Sequence, residues 1–494
     1  MNPLRSIIIN KTTIYSLIFA LMGEIIRLVI QNIPLNLTDK IAISCVYVIA
    51  AYIYMFKYCI QQRLVTNVFF ILLILSIFFY YGQHILALFD PSYLFTQQDY
   101  HILDGRISDG SIIHATFLAI ESLLVVFSGF ICMYKDSSIY EIQIDDNNEL
   151  DEVKLQALRI GGWILIIISF YPTIRYLLAQ YSLTQSYGYL GRRNLEAQSD
   201  YYSILGISTT LIYISNLFLP ALYALFIGYK NKRNKFVIYI LTIIYGVLYY
   251  MTGSRYMLLK LLIVLFLIQV IWVKPLKRED VKKYIVIAII AAAIFSIGNI
   301  IRSSGTEEIS FTDAAGKLNI GGMLWEPGIT FTTISNVIEC CPSKVDFFYG
   351  KSLLGAILQC LPPALRFGFF DKYTLQVSSV LSPLYYHTST FGYGSSFIAE
   401  GFYNFGYLIY VFMFIYGLLL GRINYDLVHV SKNNSPYLFL ILSTLCGSLA
   451  FGVRNDLSSV PREMLTTVII VALVVKIIET FIRMKDKDAI RSDI

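Results

Sequence analysis

About twelve long apolar runs occupy most of this chain, and runs of that kind leave a backbone few options. About twenty residues span the hydrocarbon core of a bilayer, where every N–H and C=O must be paired within the segment. The runs are therefore expected to be helices. They read as Thr12–Ile30, Ile41–Phe56, Leu64–Tyr81, Ile112–Met133, Ile160–Ile174, Ile204–Ile227, Phe236–Met251, Tyr256–Val273, Tyr284–Ile301, Phe405–Leu420, Tyr437–Phe451 and Met464–Ile482. Of the 494 residues, 56% are hydrophobic and 15% charged, whereas a soluble domain carries about 25% charged residues. A soluble enzyme is excluded. The reading is an all-α polytopic membrane protein with about 12 transmembrane helices, forming a single integral membrane domain over residues 1–494.

Lysine and arginine set the expected orientation. With both termini inside, the inner segments hold most of the 39 Lys and Arg, among them the run Lys230, Lys232, Arg233 and Lys235. The formal charge of +6 is thus a topology signal that implies membrane lipids and no nucleic acid. The first run lacks a small-residue cleavage site and carries Glu24 and Arg27, so it reads as a true span. These two are three residues apart on one helix face and can neutralise each other. Glu121 and Lys260 also fall inside spans. Such charges often mark transport paths; structural pairing is the favoured reading here.

A large helical extracytoplasmic loop is expected between helices 9 and 10, over residues 302–404. Leu353–Leu361 is apolar, too short to span and closed by Pro362 and Pro363, which fits a surface or re-entrant helix. A second helix should start near Ser395 or Ser396, whose hydroxyl can cap it, and place Glu400, Tyr403 and Asn404 on one face. The seven cysteines and five histidines show no metal spacing, so neither a metal nor another cofactor is expected. A disulfide among Cys340, Cys341 and Cys360 stays open. No nucleotide-binding fingerprint occurs, which argues against ATP-driven or nucleotide-sugar-dependent chemistry.

The outer segments favour arginine, whose planar fork grips phosphate and keeps its charge when partly buried. Arg192 and Arg193, Arg255, Arg302 and Arg454 lie at or near predicted helix ends and are candidates for one anionic group, such as a lipid diphosphate. A glycosyl transfer with that leaving group also needs a base for a hydroxyl proton. Glu400 is the first candidate, with Glu326 and Asp456 in reserve and His387 as an outside possibility. Each also has a plainer reading, as a snorkelling cation or a carboxylate bonded to loop N–H groups.

Four local patterns then carry a resemblance: Gly253-Ser254-Arg255, Tyr349-Gly350-Lys351-Ser352, Gly394-Ser395-Ser396-Phe397-Ile398-Ala399-Glu400 and Arg454-Asn455-Asp456. With the layout of spans, they make the chain similar to Wzy-type O-antigen or capsular polysaccharide polymerases. The resemblance implies a GT-C-like membrane fold and a metal-independent glycosyltransferase that uses no nucleotide sugar. It implies transfer of a growing glycan from undecaprenyl diphosphate to the end of a new lipid-linked repeat unit, on the outer leaflet of the bacterial inner membrane. Arg255, Arg302 and Arg454 would contact the diphosphate, and Glu400 would be base or acceptor orienter. A chain-length co-polymerase of the Wzz type is the implied partner. The rival readings are a lipid-linked oligosaccharide flippase and an O-antigen ligase.

Overall fold

The computed structural model describes residues 9–90, 107–133, 151–196, 201–229, 235–254, 256–276, 280, 282–283, 286, 320–358, 360, 377, 380, 394–432 and 435–492. The chain order of the principal helices is α1 (Lys11–Asn32), α2 (Leu37–Gln61), α3 (Val68–Ala87), α4 (Asp109–Met133), α5 (Glu152–Glu196), α6 (Thr209–Ser215), α7 (Phe218–Gly228), α8 (Phe236–Met251) and α9 (Tyr256–Leu267). There follow α10 (Ile320–Gly328), α11 (Thr330–Cys340), α12 (Lys351–Leu358), α13 (Phe397–Phe405), α14 (Ile409–Lys432), α15 (Pro436–Ala450) and α16 (Ile469–Ser492). Among the described residues, 9 helical stretches are long and apolar enough to cross a membrane, and Phe236–Met251 and Met257–Val273 are shorter apolar helices. The expected span Tyr284–Ile301 lies almost wholly outside the described residues. The protein is thus an all-α, polytopic membrane protein.

The helices start where short polar side chains can take the first free N–H groups. Asn10, Asn36 and Asn67 each accept from a backbone N–H three residues on, at 2.8 Å. Serine and threonine inside the apolar helices turn their hydroxyls back to the preceding turn, as Ser128 does to the Leu124 carbonyl at 2.9 Å. That bond lets a hydroxyl sit in an apolar interior without an orphaned donor.

The chain forms two compact units. The first comprises Met1–Glu141, Asn319–Tyr425 and Ser448–Arg462. Its centre is α4, mostly apolar and buried on every side along almost its whole length. Gly129 of α4 and Gly417 of α14 face each other. A Cβ on either would overlap the other helix's backbone carbonyl, so only glycine permits this crossing. The expected Glu24–Arg27 pair forms, with Arg27 Nε donating to Glu24 Oε2 at 2.7 Å. Glu121 is fully buried and accepts from the Tyr410 hydroxyl.

The second unit comprises Ile142–Leu318, Asp426–Gly447 and Glu463–Ile494. Here α5 runs far past the expected Ile160–Ile174, with a non-helical residue at Gly188. The expected Ile204–Ile227 span is divided between α6 and α7. Lys260 is almost fully buried and pairs with Glu463, which gives the intramembrane lysine a structural partner. Among the described residues, Cys340, Cys341 and Cys360 form no disulfide.

Candidate active site

Three of the patterns singled out in the sequence meet in the first unit, around one side chain. Ser396 caps α13, accepting from Ala399 N–H at 3.1 Å, so Glu400 falls in the first turn and Asn404 one turn later. The segment before α12 docks on the end of α13: Phe348 N–H donates to the Tyr403 carbonyl at 2.9 Å and Tyr349 N–H to the Asn404 carbonyl at 2.8 Å. That docking delivers Ser352 to Glu400. The Ser352 hydroxyl donates to Glu400 Oε1 at 2.8 Å, and Asn404 Nδ2 donates to Ser352 Oγ at 2.7 Å. Asn404 Nδ2 also donates to the Glu400 carbonyl at 2.8 Å.

The other carboxylate oxygen of Glu400 holds the turn after α15. Leu457 N–H donates to Glu400 Oε2 at 2.7 Å, and the Ser458 N–H also bonds to this carboxylate. Glu400 is 1% exposed. Its oxygens are used to tie three chain segments together, which is the geometry of a carboxylate that positions its neighbours.

The turn so held presents Arg454, Asn455 and Asp456. Gly394 has φ +87, and a Cβ there would lie 2.5 Å from Arg454 Nη1, so the guanidinium rests directly on the glycine backbone. Asp456 is 7% exposed and sits beside Ser395. Its Oδ1 has no hydrogen-bond partner among the described residues, nor does the buried hydroxyl of Ser458. Burial pushes the Asp456 carboxyl up to about 6, and the adjacent Ser395 hydroxyl opposes that rise in part. A buried carboxyl with an open lone pair and a raised pKa is suited to taking a proton from a hydroxyl.

Glu326 stands elsewhere in the same unit, half-buried on α10, which packs on α3. Arg192 belongs to the second unit and is completely buried. Its Nη1 donates to Gln180 Oε1 at 3.2 Å and its Nη2 to Ser254 Oγ at 2.9 Å; Glu196 lies 3.5 Å from Nε, and the Tyr189 ring is 5.3 Å from the guanidinium. Arg192 thereby anchors the Gly253-Ser254 turn. Arg193 lies on the same helix, and its side chain is outside the described residues, as are Arg255, Arg302 and His387.

The sequence reading missed Ser395 and Ser458 as members of this cluster. Ser395 had been read only as a possible helix cap, and Ser458, two residues past Asp456, is one of many loop serines and carries no signal of its own.

A polytopic helical membrane protein with a buried carboxyl beside an arginine-bearing turn is the class that the fold and this cluster define. Residues 12–485 match the family model described as O-antigen polysaccharide polymerase Wzy, and the chain belongs to that family. No curated protein and no solved structure matches it. Family membership carries an enzymatic role in O-antigen repeat-unit polymerisation.

Proposed function

We propose that this protein polymerises lipid-linked oligosaccharide repeat units by direct glycosyl transfer. A sugar hydroxyl of a new lipid-linked unit attacks the anomeric carbon of the growing glycan. The carbon–oxygen bond to undecaprenyl diphosphate breaks, the diphosphate leaves with the electron pair, and the hydroxyl proton passes to a carboxylate. The glycan ends on the non-reducing end of the new unit. The reaction takes place at the outer leaflet of the bacterial inner membrane, with both termini cytoplasmic and residues 302–404 outside. A Wzz-type protein sets chain length.

In this proposal Asp456 takes the proton and Glu400 orients the turn that carries it. The observation behind that division is the contrast between the two carboxyls: Glu400 has both oxygens engaged by internal donors, whereas Asp456 Oδ1 has none. Arg454 supplies positive charge for phosphate, because arginine holds two phosphate oxygens at once. Arg255, Arg302 and Arg193 are assigned to anionic substrate on their chemistry, Glu326 and His387 to the glycan, and Arg192 to holding the Gly253-Ser254 turn.

The test is to give purified protein a synthetic undecaprenyl-diphosphate repeat unit without nucleotide sugar. A product ladder on a gel is the expected result. Translocation without new bonds would identify a flippase instead, and transfer only to a different acceptor would identify a ligase.

A further inference from the structure

The start of α5 carries chemistry that the proposed reaction does not use. Trp163 Nε1 donates to the Tyr229 hydroxyl at 3.1 Å. The Arg159 guanidinium lies 5.8 Å from the centre of the Tyr229 ring, and its Nη1 donates to the Gly228 carbonyl at 3.4 Å. Alongside this polar knot, Ile160, Ile164 and Ile167 recur at helical spacing and are 39%, 42% and 73% exposed. Together these residues line a groove of about 480 Å³. An arginine and two interfacial aromatics at the head of an apolar stripe match the two ends of a lipid.

Charge selects among lipids. The ion-pair partner of Arg159 is Glu152, at 2.5 Å, whose side chain is 61% exposed. The Arg159 side chain itself is 12% exposed, so the pair is open to solvent on the carboxylate side alone, and an exposed carboxylate adds little that a phosphate in its place would not. In sequence, Tyr229 is followed at once by the basic run Lys230, Lys232, Arg233 and Lys235. Basic residues next to a span draw anionic lipid, and a zwitterionic headgroup gains little from them. We infer that this groove holds an anionic phospholipid of the bilayer, with its phosphodiester on Arg159 and an acyl chain along Ile160, Ile164 and Ile167.

Fluorescence quenching tests it on the full-length protein. The chain has three tryptophans, so the signal of Trp163 is the difference between wild type and Trp163→Phe. Protein is reconstituted in phosphatidylcholine with rising fractions of brominated phosphatidylglycerol or, separately, brominated phosphatidylcholine. Brominated phosphatidylglycerol is expected to half-quench Trp163 at a mole fraction roughly fivefold lower, in line with one or two basic groups near the headgroup. Arg159→Gln should abolish the difference. The comparison on wild type decides the matter even if that variant does not fold. Equal quenching by the two lipids overturns the inference, as does a preference that survives Arg159→Gln. Absence of Trp163 quenching by either lipid also overturns it, because the groove would then be covered by another segment of this chain or by a second copy.

Discussion

The Ser352 hydroxyl donates to Glu400 Oε1 at 2.8 Å across 48 residues of sequence. This bond joins the first turn of α12 to the first turn of α13, and Glu400 carries the connection on to the turn at Asp456. Ser352→Ala removes a donor from a buried carboxylate and leaves one oxygen without its partner. The expected cost is about 1–3 kcal/mol. Thermal unfolding of the purified protein in detergent measures it, and ladder formation should fall with it. An unchanged midpoint would mean that the bond contributes nothing.

Gly394→Ala tests whether Arg454 needs its seat. At φ +87 alanine is strained, and its Cβ meets the guanidinium. Arg454 should shift by about an ångström, and misplacement on that scale lowers a rate by on the order of 10²-fold. The measurement is the initial rate of polymerisation, corrected for folded protein. Full activity would remove Arg454 from the reaction.

Lys260 and Glu463 form an ion pair in which the lysine side chain is 5% exposed and the carboxylate 28%. Lys260→Met alone should destabilise by about 1–3 kcal/mol, since it removes a charged donor from a carboxylate that is 28% exposed. Lys260→Met combined with Glu463→Leu should recover most of that loss. Unfolding midpoints of the two singles and the double complete the cycle; simple additivity would show that the two groups do not interact.

Local rules made the short-range features legible. Glu24 and Arg27 are three residues apart, so helical spacing alone brings them together. Ser396 precedes an apolar run, so its role as a cap was readable to within a residue. The Lys260–Glu463 and Ser352–Glu400 pairs were hidden, because 203 and 48 residues separate the partners. Both segments of the second pair had been singled out, yet nothing in their composition indicated that one bonds the other. The length of α5 was also hidden. The apolar run stops at Ile174, and Arg192 reads as a cation at a predicted helix end. Beyond the break at Gly188, Arg192 is held by Gln180, Ser254 and Glu196, which satisfy its charge away from water. For Arg192, a surface-type residue, burial could only be seen once its partners were in place.

Asp456 also links activity to stability. Its folded-state pKa is raised, from 3.8 to about 6, so the folded protein binds the proton more tightly than the unfolded chain. Its contribution to stability is therefore present below pH 3.8 and lost as pH rises to about 6. Asp456→Asn, which cannot ionise, should be more stable than wild type above that window and similar below it. Unfolding midpoints at several pH values check this. Equal or lower stability of the variant at high pH would contradict the burial cost assigned to this carboxyl.

The most direct test of the account is the pH dependence of ladder formation by wild type and by Asp456→Asn, with synthetic lipid-linked repeat units. Wild-type activity should fall as pH drops through about 6, because the base is then protonated. Asp456→Asn should lose roughly 10²–10⁴-fold in rate and show no such limb. Full activity in Asp456→Asn with an unchanged acid limb would contradict the assignment of this carboxyl to the proton transfer.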